Sequence, residues 1–418
     1  MDVSESEAYQ RDAADPGHRE WFHIPPAPGG AYPDSAYLAG NSLGLQPRAT
    51  REELLTELDA WAQLGVEAHV AGERPWLPYH EPLTRPAADL IGALPEETVM
   101  MNSLTVNLHL LMVSFYRPAG TRTRIVIEDG AFPSDSYAVR SQARFHGLDP
   151  DQAVVRLAPR TGEDLLRTED VVDYLRREGD TVALVLLGGV NYLTGQLLDL
   201  PAITAAGHAA GAVVGWDLAH AVGNVPLALH DWGVDFAAWC SYKYLNGGPG
   251  AVAGVFVHQR HLGDRSLPRF EGWWSTEESS RFEMAPVARP PASAEAWQIS
   301  NPPIFSMGPV RTSLSLFARV GVDALRQRSL RLTGYLEQLL DAAGAHIVTP
   351  RDPAARGSQL SLRVGQAEAL ARRLRTEYGV IADARRPDIL RLAPTALYST
   401  YHDCWRAADA LTQLGWAA

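Results

Sequence analysis

The stretch Ala212-Val213-Val214-Gly215-Trp216-Asp217-Leu218-Ala219-His220 joins a short apolar run to an aspartate and a histidine. The run has the length and the β-branched content of a buried strand, and a second run of this kind spans residues 182–187. A helical pattern over residues 202–210 separates the two runs, and residues 124–127 form a further strand-like segment. Apolar strands that alternate with helices are typical of a mostly parallel sheet with helices on both faces, so the sequence predicts an α/β fold.

The polar residues at the end of this stretch lie where such folds bind ligands. Ligands of a parallel sheet sit beyond the carboxyl ends of the strands, and Asp217 directly follows one predicted strand. His220 comes three residues later, where its imidazole can brace the same ligand. Because an aspartate at this place is equally typical of a helix cap, a second feature has to decide between a ligand site and a cap.

The second feature is a lysine in the segment Ser241-Tyr242-Lys243-Tyr244-Leu245-Asn246-Gly247-Gly248. An apolar run over residues 234–240 precedes it, so the lysine is expected beside a buried strand, where an unpaired lysine is rare. A lysine amine bonds to an aldehyde, and a carboxylate that keeps a pyridine nitrogen protonated lets the ring accept electrons. Lys243 and Asp217 together therefore predict pyridoxal 5'-phosphate as the cofactor.

Three further side chains fit a site for this cofactor and an amino-acid ligand. Thr105 begins a helix predicted over residues 105–116 and can hold a phosphate with the free N–H groups there, as an alternative to simple helix capping. Phe132 fits either a stack on a planar ring or a place in the core. Arg391 lies in a predicted strand and needs a carboxylate, which either a substrate or an internal Asp or Glu can supply.

The chain length predicts two domains, because 418 residues exceed what one hydrophobic core normally covers. We expect a large domain with a mostly parallel, seven-stranded type of sheet sandwiched by helices, and a smaller α+β domain at the C-terminus. The expected limits are residues 1–50 for an N-terminal arm that contributes to the small domain, 51–309 for the large cofactor-binding domain, and 310–418 for the small C-terminal domain.

Two helices are predicted from local patterns. Thr50 and Glu53 form a capping box before the apolar stripe of Leu54, Leu55, Leu58 and Trp61, and Gly65 marks the end of that helix. A long helix is predicted from about residue 309 to residue 340, followed by short strands at residues 359–363 and 389–392.

Composition limits the partners and the compartment. The formal net charge of −12 and the lack of a Lys/Arg cluster argue against a nucleic acid or a membrane surface as the partner. Two cysteines, Cys240 and Cys404, fit a reducing compartment better than a disulfide framework. The acidic start, Met1-Asp2-Val3-Ser4-Glu5-Ser6-Glu7, has no apolar targeting region, so a cytoplasmic location is expected. No His/Cys spacing predicts a metal site.

A set of longer motifs, in order along nearly the whole chain, resembles the kynureninase family of pyridoxal-phosphate hydrolases, which have the aspartate-aminotransferase-like fold. These motifs are Leu38-Ala39-Gly40-Asn41-Ser42-Leu43-Gly44-Leu45-Gln46-Pro47, Arg74-Pro75-Trp76, Met101-Asn102-Ser103-Leu104-Thr105-Val106-Asn107-Leu108-His109, Ala131-Phe132-Pro133-Ser134-Asp135, Asp217-Leu218-Ala219-His220-Ala221-Val222-Gly223-Asn224, Ser241-Tyr242-Lys243-Tyr244-Leu245-Asn246 and Ile299-Ser300-Asn301-Pro302-Pro303.

The resemblance implies hydrolysis of L-kynurenine or 3-hydroxy-L-kynurenine to anthranilate or 3-hydroxyanthranilate plus L-alanine by a homodimer. It implies that Lys243 bonds the cofactor and moves the α-proton, that Asp217 pairs with the pyridine nitrogen, and that Tyr242 acts as a general acid. The other cofactor contacts that it implies are Leu104, Thr105, Phe132, Asp135, His220, Trp273 and Asn301, the last two across the dimer interface. The implied substrate contacts are Arg391 for the α-carboxylate and His69, Ser300 and Asn301 for the aryl ring.

One position departs from the family, and other readings stay open. Relatives often have a hydroxyl residue where this chain has Gly188. Another reaction on the same fold, such as an aminotransferase or a cysteine desulfurase reaction, is the main alternative, because fold and cofactor do not fix the reaction. A non-catalytic binding protein is the third reading, and the presence of Lys243, Asp217 and Arg391 speaks against it.

Overall fold

The computed structural model describes residues 4–27 and 30–415, so the first three residues of the acidic start lie outside the described part. The helices are α1 (Glu5–Ala14), α2 (Thr50–Leu64), α3 (Glu81–Ile91), α4 (Leu104–Phe115), α5 (Pro133–Phe145), α6 (Pro150–Ala153), α7 (Thr168–Glu178), α8 (Leu200–Ala209), α9 (Glu278–Arg281), α10 (Ile304–Val320), α11 (Val322–Ala342), α12 (Ala367–Tyr378) and α13 (Tyr401–Leu414). The strands are β1 (Ala36–Tyr37), β2 (Thr98–Met101), β3 (Arg124–Glu128), β4 (Val154–Leu157), β5 (Val182–Gly188), β6 (Val213–Asp217), β7 (Phe236–Trp239), β8 (Ala253–Val257), β9 (Leu360–Arg363), β10 (Val380–Ile381), β11 (Asp383–Arg385) and β12 (Ile389–Leu392).

A seven-stranded sheet in the order β2-β8-β7-β6-β5-β3-β4 forms the centre of the larger part of the chain. The strands β4, β3, β5, β6 and β7 pair in parallel, and β8 runs antiparallel to both of its neighbours. The predicted mostly parallel sheet is therefore confirmed. Its parallel strands end at one edge, where Glu128, Gly188 and Asp217 are the last residues of three adjacent strands.

Helices cover both faces of this sheet, as the apolar strands predict. In β3 the side chain of Val126 belongs to one hydrophobic cluster, and Ile125 and Ile127 belong to another, because successive side chains of a strand point to opposite faces. The first cluster includes residues of α3, α7, α8 and α10, and the second includes residues of α4 and α5.

A separate hydrophobic core lies around α11, α12 and α13 and the antiparallel sheet β11-β12-β9. Ala36 and Leu38, from the start of the chain, belong to this core, and β1 pairs in parallel with β10. A capping box begins α13, since Thr400 Oγ1 accepts from the N–H of Asp403 at 2.9 Å and the Asp403 carboxylate accepts from the N–H of Thr400 at 3.0 Å.

The long helix predicted from residue 309 to residue 340 is wrong, because two helices occupy this range. Gly321 separates α10 from α11 with a φ of 86°, a backbone conformation that favours glycine. The expected domain limit at residues 309 and 310 falls inside α10, whose buried residues pack on the large sheet. The domain limits stay a prediction, and Leu325 of α11 still belongs to the core of the large sheet.

The predicted helix over residues 50–64 is confirmed, but its predicted capping box is wrong. Ala49 occupies the cap position, and the buried Oγ1 of Thr50 has no hydrogen-bond partner in the described chain. Leu55, Leu58 and Trp61 of the apolar stripe are 45%, 45% and 58% exposed, so this face of α2 does not pack into either core.

A helix that spans a membrane needs about 20 consecutive, mostly apolar residues. In residues 4–27 and 30–415, no helix is both long and apolar enough to do so.

Candidate active site

A cavity of about 160 Å³ lies at the edge where the parallel strands end. A single water needs only about 10–15 Å³, so the cavity has room for a small molecule. Its lining residues are Ser103, Leu104, Thr105, Glu128, Phe132, Ser134, Asp135, Gly188, Val190, Tyr192, Asp217, Ala219, His220, Tyr242 and Lys243. The predicted cofactor residues Leu104, Thr105, Phe132, Asp135, Asp217, His220, Tyr242 and Lys243 are all among them.

Lys243 follows β7 and enters the cavity beside His220. Its Nζ lies 2.9 Å from Nε2 of His220. Burial and the nearby cations lower the pKa of His220 well below its ordinary value, so the imidazole is neutral and its Nε2 can accept from the amine. The ring hydrogen then sits on Nδ1, which is buried and has no partner among the described residues.

Two carboxyl groups line the cavity together with the lysine. Asp217 and Asp135 share a hydrogen bond, and burial raises the pKa of both above the ordinary range of a carboxyl. Asp135 is raised further, because the charge of Asp217 adds to burial, whereas Asp217 accepts from the N–H of Ala219 at 2.7 Å. Of the two groups, Asp217 is therefore the one that gives up its proton more readily. The contact with Ala219 also closes the turn after β6, so Asp217 makes this local contact and lines the cavity as well.

A third carboxyl group, Glu128, was not predicted from the sequence. It ends β3, and its Oε2 accepts from Nδ2 of Asn191 at 2.9 Å. Burial raises the pKa of Glu128 to about 7, and the charge of Asp217 adds to this shift. A Cβ atom at Gly188 would lie 3.0 Å from Oε1 of Glu128, so this glutamate fills the space that a side chain at position 188 would need.

The start of α4 also lines the cavity. Ser103 occupies the cap position, but its side chain makes no cap hydrogen bond, which leaves the first N–H groups of a 12-residue helix available to an anion. Thr105 Oγ1 lies 2.8 Å from Oγ of Ser134, which is at the start of α5. Two hydroxyl groups and a helix N-terminus are thus available for a phosphate.

Aromatic side chains surround the lysine amine. The ring centroids of Phe132 and Tyr242 each lie 5.9 Å from Nζ of Lys243. Phe132 is 46% exposed, which excludes the alternative of a core residue. Its ring meets that of Tyr192 edge to face at 5.2 Å. Burial raises the pKa of Tyr242, so its hydroxyl group keeps its proton at neutral pH.

Arg391 lies in β12 and is buried, as its place in an apolar strand predicts. Its Nη1 donates to the backbone carbonyl of Tyr192 at 2.6 Å, and its Nη2 donates to Asp383. The sequence left open whether a substrate or an internal residue supplies the carboxylate, and the structure contains an internal partner. Arg391 is next to the cavity through Tyr192, but it is not one of the residues that line it.

The other predicted site residues, His69, Trp273, Ser300 and Asn301, do not line this cavity. The N–H of Trp274 donates to the carbonyl of Ile299 at 3.0 Å, so Trp273 lies in a segment joined to the one that carries Ser300 and Asn301. His69 ends the 3-10 helix Gly65–His69, and its ring lies 5.4 Å from that of Trp76.

A possible metal-binding group lies elsewhere, although no metal site was predicted from the spacing of residues. Ligand atoms of Glu97, His230 and His258 lie within 4.8 Å of one another. Glu97 Oε1 already accepts from Nδ1 of His230 at 2.9 Å and from the N–H of Gln259 at 2.7 Å. These bonds make the group a buried polar cluster that joins the start of β2 to the end of β8.

Two features of the site do not follow from any local sequence pattern. One depends on the fold, and the other on the composition of the whole chain. Glu128 and Tyr192 are brought to Lys243 by sheet order, which no local pattern encodes. The chain also contains a single lysine among its 418 residues, and that lysine is Lys243. Counting the lysines in the sequence identifies Lys243 as the one lysine side chain that can bond to an aldehyde.

Sequence comparisons match this chain to one family of proteins. A family model described as "Kynureninase C-terminal domain" matches residues 325–411. A curated protein named kynureninase from Salinispora tropica is 73% identical over 98% of this chain and 97% of its own. Proteins of the same name from Myxococcus xanthus and Koribacter versatilis are 56% identical over 98% of this chain and 54% identical over 97% of it, each with 96% of its own length covered.

Solved structures match the fold at low sequence identity. A cysteine desulfurase from Thermococcus onnurineus NA1 aligns with a TM-score of 0.76 and 16% identity over 91% of this chain and 94% of that chain. The cystine C–S lyase C-DES, in complex with cysteine persulfide, aligns with a TM-score of 0.78 and 18% identity over 90% and 97% of the two chains. At these identities the likeness establishes the fold alone.

Proposed function

This chain belongs to the kynureninase family of pyridoxal-phosphate-dependent hydrolases, and we propose that it cleaves L-kynurenine, 3-hydroxy-L-kynurenine or both. The products are anthranilate or 3-hydroxyanthranilate together with L-alanine. The observation that supports this most directly is one cavity that contains the single lysine, a buried carboxylate and an anion-binding helix start.

The residues of the cavity fit pyridoxal phosphate. When bound, the cofactor supplies an aldehyde for the substrate amine and a ring that takes up electrons. Lys243 offers the amine, Asp217 offers a carboxylate to a protonated ring nitrogen, and Phe132 offers an exposed aromatic face. The start of α4 and the hydroxyl groups of Thr105 and Ser134 would hold the phosphate. The unpaired Nδ1–H of His220 is a further buried donor that a ligand would satisfy.

Two side chains are suited to move protons during the reaction. Lys243, once released by the substrate amine, is the proposed base that takes the α-proton and returns it, and neutral His220 at 2.9 Å can accept a hydrogen bond from its Nζ. Tyr242 keeps its hydroxyl proton because burial raises its pKa, and it is the proposed acid that protonates the alanine fragment after the Cβ–Cγ bond breaks.

Substrate contacts are proposed at two places. Arg391 would bind the α-carboxylate, since a guanidinium forms a planar, two-donor match to that group. His69, Ser300 and Asn301 would contact the aryl ring. We propose a slight preference for the 3-hydroxy substrate, because His69 and Asn301 offer polar atoms to a ring hydroxyl, and one such contact contributes only ~1–3 kcal/mol of discrimination.

The proposed assembly is a homodimer in which each cavity is completed by the partner. Support comes from the exposed apolar face of α2 and from Trp273, which is 40% exposed although it is a large aromatic side chain. Trp273 and Asn301, proposed as cofactor contacts, do not line the cavity of their own chain. The proposed setting is the cytoplasm, with a role in tryptophan breakdown by the kynurenine route and in the NAD biosynthesis that it feeds.

A cysteine desulfurase reaction, the activity for which one of the fold neighbours is named, is less well supported. That chemistry needs a reactive thiolate. The two cysteines of the sequence, Cys240 and Cys404, are both buried, and burial raises the pKa of both thiols.

The first experiment is an absorbance spectrum of the purified protein with pyridoxal phosphate, followed by addition of each kynurenine. We expect a cofactor band that is lost in Lys243→Ala, and release of the fluorescent aromatic acid and alanine in equal amounts. Borohydride reduction followed by peptide mapping should place the adduct on residue 243, with no other lysine to compete. A cofactor band without either product would contradict the proposed reaction and leave the cofactor assignment intact.

A further inference from the structure

Arg391 shares its carboxylate partner with a second arginine. The pairing of β11 with β12 places Asp383 directly opposite Arg391. One oxygen of Asp383 accepts from Nη2 of Arg391, and the other accepts from Nη1 of Arg385 at 2.5 Å. Two guanidinium groups therefore surround a single carboxylate.

The Arg391 guanidinium is held on two sides beside the cavity. Nη1 donates to the carbonyl of Tyr192, a residue of the cavity wall, and Asp383 binds Nη2. The buried Nε of Arg391 has no hydrogen-bond partner among the residues that the structure describes. The group is thus fixed in place with a donor still available.

The charges of this cluster do not cancel. Arg385 and Arg391 carry two positive charges and Asp383 carries one negative charge. Asp388 and Asp164 both pair with Arg363, at 3.2 Å and 2.7 Å, and neither forms an ion pair with Arg385 or Arg391. Asp383, Arg385 and Arg391 taken alone therefore carry one net positive charge, which a substrate carboxylate would balance.

We propose that Asp383 is a positioning residue: it holds the Arg391 guanidinium against Tyr192 in the geometry that receives the α-carboxylate, while sharing with Arg385 leaves one positive charge for the substrate. This inference rests on the proposed function for the identity of the substrate. Asp383 is the internal partner of the buried Arg391. In this arrangement it also contributes to the recognition of an amino acid.

The direction in which Asp383→Asn changes ligand affinity distinguishes two roles of Asp383. It either positions Arg391 or competes with the substrate carboxylate for it. Asp383→Asn adds net positive charge to the cluster, so simple attraction predicts tighter binding of a carboxylate. If Asp383 instead positions Arg391, the loss of the ion pair frees the guanidinium and weakens binding. A role in folding alone would affect ligands with and without a carboxylate equally.

The test measures binding to the holoenzyme through the absorbance of its cofactor, with L-alanine and with ethylamine, which lacks the carboxylate. In Asp383→Asn we expect the Kd for L-alanine to rise about ten-fold or more, as for a lost charged hydrogen bond, and the Kd for ethylamine to change by less than about two-fold. Asp383→Glu keeps the charge but shifts the carboxylate, and it should raise the Kd for L-alanine by a smaller factor. Asp388→Asn, in the same hairpin, is the matched control and should leave both constants unchanged.

Equal or tighter binding of L-alanine in Asp383→Asn would overturn the inference, as would an equal loss for both ligands. Should that variant fail to fold, Asp383→Glu decides, because unchanged L-alanine binding in it contradicts positioning. Neither ligand requires cleavage of kynurenine. Asp383→Asn could weaken binding of L-alanine selectively in a protein that releases no aromatic acid from kynurenine. That result would uphold the role of Asp383 and reject the proposed substrate.

Discussion

The cavity contains a glutamate, Glu128, whose pKa lies near neutral pH. Burial raises its pKa from 4.5 to about 7, so the folded protein holds a proton that the unfolded chain releases. Its contribution to stability therefore falls as the pH rises from 4.5 to 7. We expect Glu128→Gln to stabilise the cofactor-free protein at pH 8 by about 2–3 kcal/mol more than at pH 5, since one pKa unit corresponds to ~1.4 kcal/mol.

Urea denaturation at a fixed protein concentration, at both pH values, measures this difference. The glutamine can still accept from Asn191, so the substitution removes the charge and leaves that contact in place. A stability difference between variant and parent that is the same at pH 5 and pH 8 would show that Glu128 does not titrate in this range.

For single residues, the sequence predicts the chemical role of a side chain better than its hydrogen-bond or ion-pair partner. Lys243 and Asp217 are recognisable because each lies in a local pattern that constrains its surroundings. Glu128 and Asp383 lack such a pattern, and each meets its partner only through strand pairing. The sequence predicts that Arg391 needs a carboxylate, but the identity of Asp383 depends on the register of β11 against β12.

Among the elements, Asp235 joins the start of β7 to its neighbours. One carboxylate oxygen accepts from the N–H of Val214 at 2.7 Å and from His208 at 2.8 Å, and the other binds Arg260 at 2.5 Å and His261 at 2.7 Å. These contacts hold the pKa of Asp235 well below its ordinary value despite its burial. The stabilisation is fully present above the pKa of the unfolded carboxyl, near 4, and is lost as the pH falls below it.

We therefore expect Asp235→Asn to lower the free energy of unfolding by about 2–4 kcal/mol at pH 7, with a smaller effect at pH 3, because an amide cannot accept all four hydrogen bonds that the buried carboxylate accepts. Chemical denaturation at the two pH values measures the effect. Asp173→Asn is the control, since the pair of Asp173 with Arg176 is exposed and should contribute less than about 0.5 kcal/mol. A loss of the same size in both variants would argue against the special role of Asp235.

Element types were predictable where periodicity is strong, and element limits were not. The predicted strands at residues 182–187 and 389–392 agree closely with β5 and β12. The break at Gly321 was missed because the apolar pattern continues through it. The stripe on α2 was identified correctly as apolar, but a single sequence does not say whether such a face packs inside its own chain or against another.

For the whole molecule, the proposed shared sites predict recovery of activity from two inactive variants. Lys243→Ala removes the amine of one cavity, and Asn301→Ala removes a contact offered to the cavity of the partner. In a mixed dimer one cavity keeps both residues, so a mixture of equal parts, dissociated and reassociated, should regain about a quarter of the parental activity by two-fold symmetry.

Each variant alone, treated in the same way, is the control and should stay below this value. Sedimentation measurements should show dimers in all samples. Dimers without recovered activity would contradict the sharing of Asn301 between subunits, and monomers that are fully active would contradict the proposed dimer itself.

A protein with one lysine has an unusual chemical surface. Its cations outside the cavity are arginines, which do not react with the aldehydes, activated esters and acyl donors that modify lysine side chains. Apart from the α-amino group, every amine-directed label, crosslinker or acyl group therefore meets this chain at Lys243. General protein-labelling reagents thus become active-site reagents here, and the bound cofactor should protect the protein from them.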